Sequence, residues 1–340
     1  MEIIDRYFLP TKTRSVHAAS MAFYKDHPVF SWFGGTKEGA GDVSIYLYNL
    51  NGEKDTITIG DNDIIPRWNP VLVNVKEKLF LFTKSGMFCD RWQTFVHNIS
   101  NWTVGITNKE IVATASCLPA GLNGPVKTKP IIIRDVMYCG SSVETMYDWA
   151  SYIESYDIAY SDLSYLGRSN PMSLSEKKTY IDHGGVTKKT LGIIQPTLWY
   201  DEKNDKMKAF FRSSKGLGWI YYSETHDEDY MLWSNEPEPT NLQNPNSGID
   251  IACCKNELYL AHNPSDKFRY PLVVSKIVQD EKDKTIFNTI DTLEIRDNVS
   301  ENNPFITQEL SYPYMVERDG MLHLLYTYGR AMIEYVVVKI

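Results

Sequence analysis

The sequence predicts an all-β chain folded as a six-bladed β-propeller of four-stranded antiparallel blades. Three observations carry that expectation. The stretch Ile193 to Thr225 reads as three consecutive short strands, Pro196 to Tyr200, Met207 to Arg212 and Trp219 to Ser223, joined by a polar turn and a glycine turn. All three are rich in aromatic and β-branched residues, which suit a pleated, half-buried surface. The same pattern returns at His17, Asn69, Lys129, Ser247 and Tyr312, at a spacing of roughly 50 to 65 residues that signals radial repetition. Finally, no Ser/Gly/Pro linker, low-complexity block or long charge run divides the 340 residues, so one domain spanning 1–340 is expected.

Taken in order, Glu2 to Phe8 reads as a strand set apart from the first repeat, and Met332 to Ile340 is the most strand-like run in the chain. A propeller must close its ring, so these two ends are expected to pair within one blade and remove an exposed edge. His17 stands at the entry of the first repeat's inner strand. The loop that follows holds Gly34, Gly35, Gly39 and Gly41 beside Lys37, Glu38 and Asp42, a charged, flexible-backbone setting in which a site can be built.

Four repeats open with a polar or aromatic residue before proline, at Pro70, Pro130, Pro196 and Pro313. Proline is tolerated at the first residue of a strand because no ladder donor is lost there. Arg67 and Asn69, Lys127 and Lys129, Gln195, Asn246 to Asp250, and Tyr312 all sit at such entries, while Glu144 lies further along the third repeat. In a ring these entries converge on one face around the axis, although Asn and Ser before a strand are also ordinary turn chemistry.

Composition excludes several classes. The net charge of -8 with scattered Lys and Arg gives no nucleic-acid footprint. The five cysteines, Cys89, Cys117, Cys139, Cys253 and Cys254, show no CxxC spacing, so no metal site or disulfide framework is expected. No cofactor motif stands out. No apolar run is long enough to span a membrane, and the start lacks a basic, then apolar leader pattern. A cytoplasmic or virion-associated protein is therefore expected rather than a classically secreted one.

WFGGTKEG, RWNPVL, GPVKTKPI, the IQP…R…G unit, NPNSGID and the closing YPYMV…YTYGR together resemble the sialidase-like, BNR-repeat family of six-bladed propellers. The repeat signature SxDxGxTW is worn, as in SETHDEDYMLW from Ser223 to Trp233. In true sialidases the family pattern implies three arginines on the substrate carboxylate, a tyrosine nucleophile activated by a glutamate, and an aspartate as acid/base. On that pattern Arg212 and Arg269 match the second and third arginines, and Tyr312 or Tyr314 the tyrosine. Arg14 lacks the context of the first arginine. Gln195 stands where the glutamate is expected, and a neutral amide cannot take the tyrosine proton. The aspartate position falls in the loop that carries Glu38 and Asp42.

The resemblance implies a carbohydrate-active enzyme, an exo-acting glycoside hydrolase or a lyase, on a sialic- or uronic-acid glycan. Expected as catalytic groups are His17, Glu38 and Tyr312. Expected at the substrate are Arg67, Asn69, Lys127, Lys129, Glu144, Gln195, Arg212, Asn246, Asp250, Arg269 and Arg330, the cations holding a carboxylate. In hydrolysis Glu38 and Glu144 would be the paired acids. The alternative is a catalytically inactive glycan-binding propeller, with Trp68, Trp149, Trp199 and Trp219 as stacking platforms or as packed core.

Overall fold

The computed structural model describes residues 1–49, 57–59, 64–101, 115–145, 148–160, 162–175, 177–182, 185–300 and 306–340. After β1 (Glu2–Phe8), blade one runs through β2 (Ser15–Tyr24), β3 (His27–Gly35), β4 (Ser44–Asn49) and β5 (Ile57–Ile59). Blade two holds β6 (Arg67–Val75), β7 (Lys78–Ser85), β8 (Gln93–Asn98) and β9 (Ala115–Cys117). Blade three holds β10 (Ile131–Ile133), β11 (Val136–Glu144), β12 (Trp149–Asp157) and β13 (Ser164–Arg168). A separate hairpin follows, β14 (Lys177–Asp182) with β15 (Gly185–Thr190). Blade four holds β16 (Ile193–Asp201), β17 (Lys206–Ser213), β18 (Trp219–Glu224) and β19 (Glu238–Gln243). Blade five holds β20 (Asp250–Cys254), β21 (Glu257–His262), β22 (Leu272–Gln279) and β23 (Phe287–Arg296). Blade six holds β24 (Leu310–Arg318), β25 (Met321–Tyr328) and β26 (Met332–Lys339).

Each blade is an antiparallel meander, and β1 supplies the fourth strand of blade six by pairing with β26 from Glu2↔Lys339 to Phe8↔Glu334. The expected closure of the ring by its two ends is thus observed. Helix is nearly absent: the described residues contain one 3-10 turn, Cys89–Arg91. The apolar core is divided among the seams between blades. Phe33, Leu72 and Leu79 fill the seam of blades one and two, and Phe82, Met137 and Tyr156 that of two and three. Trp199, Phe210 and Ile251 fill that of four and five. Each fully buried aromatic or aliphatic side chain there contributes about 1.5–3 kcal/mol.

The inner strands share one irregularity. The ladder skips Ala18–Ala19 in β2, Asn69–Pro70 in β6, Gln195–Pro196 in β16 and Tyr312–Pro313 in β24. The first residue of every pair is left-handed, with φ of 50° at Ala18, 33° at Asn69, 54° at Gln195 and 54° at Tyr312. This is a β-bulge, which bends a strand and re-aims a side chain. Proline fits the second position because the bulge already lacks a ladder donor. In blade three the corresponding left-handed residue is Gly124, before Pro125, with φ 56°, and Val126 N donates to Gly140 O at 3.1 Å. Residues 127–130 carry Lys127 and Lys129 toward blades five and six, and Pro130 opens β10 as the sequence predicts.

Close contact between β11 of blade three and the inner strand of blade four leaves no room beside Gly140. A Cβ there would stand 2.2 Å from the carbonyl oxygen of Pro196 in the next blade. Gly140→Ala is expected to cost about 2–3 kcal/mol as an overpacking change, read as a lower urea midpoint with unchanged slope. An unchanged midpoint would contradict this packing.

Candidate functional site

The bulges deliver Gln195 and Tyr312 to a common point with Arg212, which lies near the end of β17. Arg212 is 6 % exposed. Its Nε donates to Asn246 Oδ1 at 3.0 Å, and its Nη1 donates to Gln195 Oε1 at 3.0 Å and to the Tyr312 hydroxyl at 2.7 Å. Gln195 Nε2 donates to the same hydroxyl at 3.1 Å. The guanidinium requires the amide oxygen of Gln195 on its side, which turns the amide nitrogen toward Tyr312. Arg212 also lies over the rings of Tyr312 (5.4 Å) and Trp149 (5.9 Å).

Asn246, left-handed at φ 61°, links this group to a second arginine: its carbonyl oxygen accepts from Arg269 Nη2 at 2.7 Å. Arg269 Nη1 donates to Glu309 Oε1, and Arg330 Nε to Glu309 Oε2, both at 3.1 Å. Ser311 Oγ donates to Glu309 Oε1 at 2.5 Å. Arg330 also donates through Nη1 to Glu38. Contacts therefore run unbroken from Gln195 and Tyr312 through Arg212, Asn246, Arg269, Glu309 and Arg330 to Glu38, drawing on blades one, four, five and six.

The charges are unevenly balanced. Burial would raise the Glu309 carboxyl, but the guanidinium charges of Arg330 and Arg269 beside it oppose that and hold it low, so it is ionised at neutral pH. Burial would lower Arg330, and Glu38 and Glu309 outweigh that and raise it. Arg269 and Arg330 thus have carboxylate partners. Arg212 is held by neutral groups, and among the described residues no carboxylate lies within salt-bridge distance of it. Burial raises Glu144, with Arg212 opposing and Glu38 adding to the effect. Glu144 and Glu38 also contribute to raising Cys89 to about 12, after burial as the main cause.

His17 is 1 % exposed and stands behind Tyr312, with ring centroids 4.1 Å apart. Its Nδ1 is hydrogen-bonded with Thr327 Oγ1 at 2.8 Å, while Nε2 is buried with no partner among the described residues. Burial, then the charges of Arg330, Arg269 and Arg212 set against Glu309, hold its pKa well below the usual 6.5. The ring is a neutral imidazole backing the tyrosine.

Other expected residues are placed differently. Lys127 Nζ donates to the carbonyls of Ile249 (2.6 Å) and Pro313 (2.5 Å), and burial lowers its pKa to about 7. Lys129 Nζ donates to both oxygens of Asp250 at 3.0 Å. Asp250, fully buried, also accepts from Thr197 Oγ1 and from Met315 N, each at 2.8 Å. These three residues tie blades three, four, five and six together near the axis. Arg67 lies over the Phe95 ring of β8 at 5.3 Å. Asn69 is buried at its bulge, and Asp42 accepts from Thr36 N at 3.0 Å within its own loop. Arg14 is exposed.

Glu309 is the central residue that sequence reading passes over. It stands one residue before β24, and nothing in its local sequence sets it apart from an ordinary exposed carboxylate. Among the described residues no cluster of His, Cys, Asp or Glu could hold a metal, and no helix is long and apolar enough to cross a membrane. The described cysteines are free thiols.

Residues 27–324 match the family model described as a BNR repeat-like domain. Among solved structures, a protein of unknown function from Dyadobacter fermentans is similar over 100% of this chain and 99% of its own, at 11% identity and a TM-score of 0.70. A Trypanosoma rangeli sialidase in complex with sialic acid is similar at 12% identity and a TM-score of 0.59, over 96% of this chain and 55% of that one. This chain spans about half the length of that sialidase. A subtype N10 neuraminidase-like protein of a little yellow-shouldered bat isolate is similar over 100% of both chains, at 8% identity and a TM-score of 0.58. At such identities the likeness is one of fold. No curated protein sequence matches the chain.

The buried histidine sets a pH dependence. His17 is neutral in the fold and titrates near 6.5 when unfolded, so protons bind the unfolded chain preferentially below that value. Stability is fully present above pH 6.5 and is lost as pH falls, by up to about 1.4 kcal/mol per pH unit per histidine. His17→Asn is expected to shrink the difference between urea midpoints measured at about pH 7.5 and about pH 5. An equal difference in both proteins would contradict this assignment.

Proposed function

The chain belongs to the BNR repeat-like domain family, and we propose that it acts on an acidic glycan whose terminal sugar carboxylate binds Arg212 on the axial face. The observation that carries this reading is the set of partners around Arg212: a cation 6 % exposed, gripped on Nε and Nη1 by an amide, a second amide and a phenol. A buried charge with no carboxylate in direct contact is costly, and an anionic ligand relieves that cost. The planar fork of arginine favours a carboxylate. The sialic-acid complex of the Trypanosoma rangeli sialidase gives a precedent on a similar fold.

The chemistry we assign is glycoside hydrolysis. Glu144, raised by burial, keeps its proton closer to neutrality and is suited to protonate the leaving glycosidic oxygen. Glu38 is the second carboxyl of the pair, positioned by Arg330. The Tyr312 oxygen accepts from both Arg212 and Gln195, so its lone pairs are engaged and its own proton is left to be donated toward the sugar. One observation favours a second reading, glycan binding without turnover: Gln195 cannot serve as the base that a tyrosine nucleophile requires.

Wild type and variants incubated with sialylated and uronate-containing oligosaccharides test both. Arg212→Ala and Arg212→Lys are each expected to weaken binding about 30-fold or more, the scale of a desolvated charge pair near 2 kcal/mol. Released reducing ends lost in Glu144→Gln support hydrolysis, whereas ultraviolet absorbance of an unsaturated product indicates elimination instead. Arg212-dependent binding with no product supports the binding reading. Equal affinity in wild type and Arg212→Ala would overturn the carboxylate assignment.

Gln195→Glu places a carboxylate against the guanidinium and competes with the ligand. Affinity for the acidic sugar is expected to fall about tenfold, measured by calorimetry, and unchanged affinity would contradict the role given to the neutral amide.

A further inference from the structure

A cavity of about 390 Å³ lies apart from the arginine cluster, in the groove between the outer strands of blades four and five. Trp219 at the start of β18, Gln243 at the end of β19, His262, Ser275, Thr289 and Thr292 contribute to its wall. The volume falls within the range of about 300–1,000 Å³ typical of small-molecule sites. None of the lining residues is Asp, Glu, Lys or Arg.

Trp219 is 41% exposed, whereas Trp32, Trp68, Trp199 and Trp233 are all packed in the core. A large exposed indole at the mouth of a cavity offers a flat apolar face with a polar edge. Opposite it, His262 Nε2 is hydrogen-bonded with Ser275 Oγ at 3.2 Å, and Ser275 Oγ with Thr292 Oγ1 at 3.4 Å. This row of hydroxyl and imidazole groups crosses three adjacent strands, β21, β22 and β23. Burial lowers His262 to about 4, so the wall carries no charge at neutral pH.

These properties narrow the ligand. A nucleotide, a phosphate or an acidic sugar needs a cation, and the lining has none. A purely apolar ligand would strip water from the hydroxyls and the Gln243 amide without replacing their hydrogen bonds. A pyranose ring meets both requirements, with C–H groups for the indole face and hydroxyls for the polar wall. We propose that this groove is a second saccharide-binding site, for a neutral hexopyranose, with Trp219 as its stacking platform.

The site opens toward the same end of the ring as the arginine cluster. Ser213 at the end of β17 pairs with Ile193 at the start of β16, so the turn leading to Trp219 lies on the face where the inner strands begin. One loop, residues 263–271, contributes Pro264 to the cavity and Arg269 to the cluster. The proposal goes beyond the acidic-sugar reading and stands without it, because the groove has its own uncharged lining.

The test titrates the protein with methyl β-galactopyranoside, methyl β-glucopyranoside and the methyl glycoside of N-acetylglucosamine. Tryptophan fluorescence and saturation-transfer NMR report binding. At least one glycoside is expected to bind saturably in the millimolar range, with affinity reduced about tenfold or more in Trp219→Ala. Thr289→Arg, a substitution at an exposed wall position, is expected to abolish binding while leaving the thermal midpoint unchanged, and it decides the matter if Trp219→Ala fails to fold. Arg212→Ala is expected to bind the glycoside as wild type does. The proposal is overturned if none of the three binds saturably, if binding survives both wall substitutions, or if it disappears with Arg212→Ala, which would locate it in the axial site.

Discussion

Everything on the axial face depends on a backbone constraint repeated around the ring. Each inner strand must run close against the preceding blade, as the contact of Gly140 in β11 with the Pro196 carbonyl of β16 shows. Four inner strands meet this constraint with the same left-handed bulge. A non-glycine residue in that conformation costs about 1–2 kcal/mol, and the surrounding ladder and seams offset it. What the strain achieves is placement: Gln195 and Tyr312 are brought from blades four and six into hydrogen-bonding contact, although 117 residues separate them. The lysine segment of blade three and Asp250 then fix the relative positions of four blades near the axis.

Charge divides the resulting cluster into two kinds of arginine. Arg269 and Arg330 share Glu309, and Arg330 also meets Glu38, so these form an internally neutralised frame. Arg212 is gripped by the same framework but receives no carboxylate among the described residues. With an amide at position 195, neither Tyr312 nor Arg212 has a carboxylate partner there.

Much of the fold was legible because its signals are local. The aromatic meander of blade four, the proline-marked entries and the paired terminal strands each follow from strand patterning or edge closure. Pro130 does open β10, but the left-handed residue of blade three, Gly124 before Pro125, went unmarked because only the pairing of Val126 with Gly140 distinguishes the two X-Pro steps at 124–125 and 129–130. The site was legible in its members more than in their roles. His17, Glu38, Gln195, Arg212, Asn246, Arg269, Tyr312 and Arg330 do assemble, since strand entries converge in a ring. Sequence could not reveal that Lys127, Lys129 and Asp250 would tie blades to one another, that Arg67 would lie over Phe95, or that Glu309 would join two arginines. Those outcomes depend on which way a long side chain turns at a given height, and spacing carries no such information.

The most direct test of the central claim is a crystal structure of the protein soaked with a free acidic monosaccharide, sialic acid or galacturonic acid. The account predicts that the sugar carboxylate lies within hydrogen-bonding distance of the Arg212 guanidinium, with the Gln195–Tyr312 contact retained. A sugar bound with its carboxylate on Arg269 or Arg330 and Arg212 left untouched, or an axial face that stays empty while sugar is bound elsewhere, would contradict it.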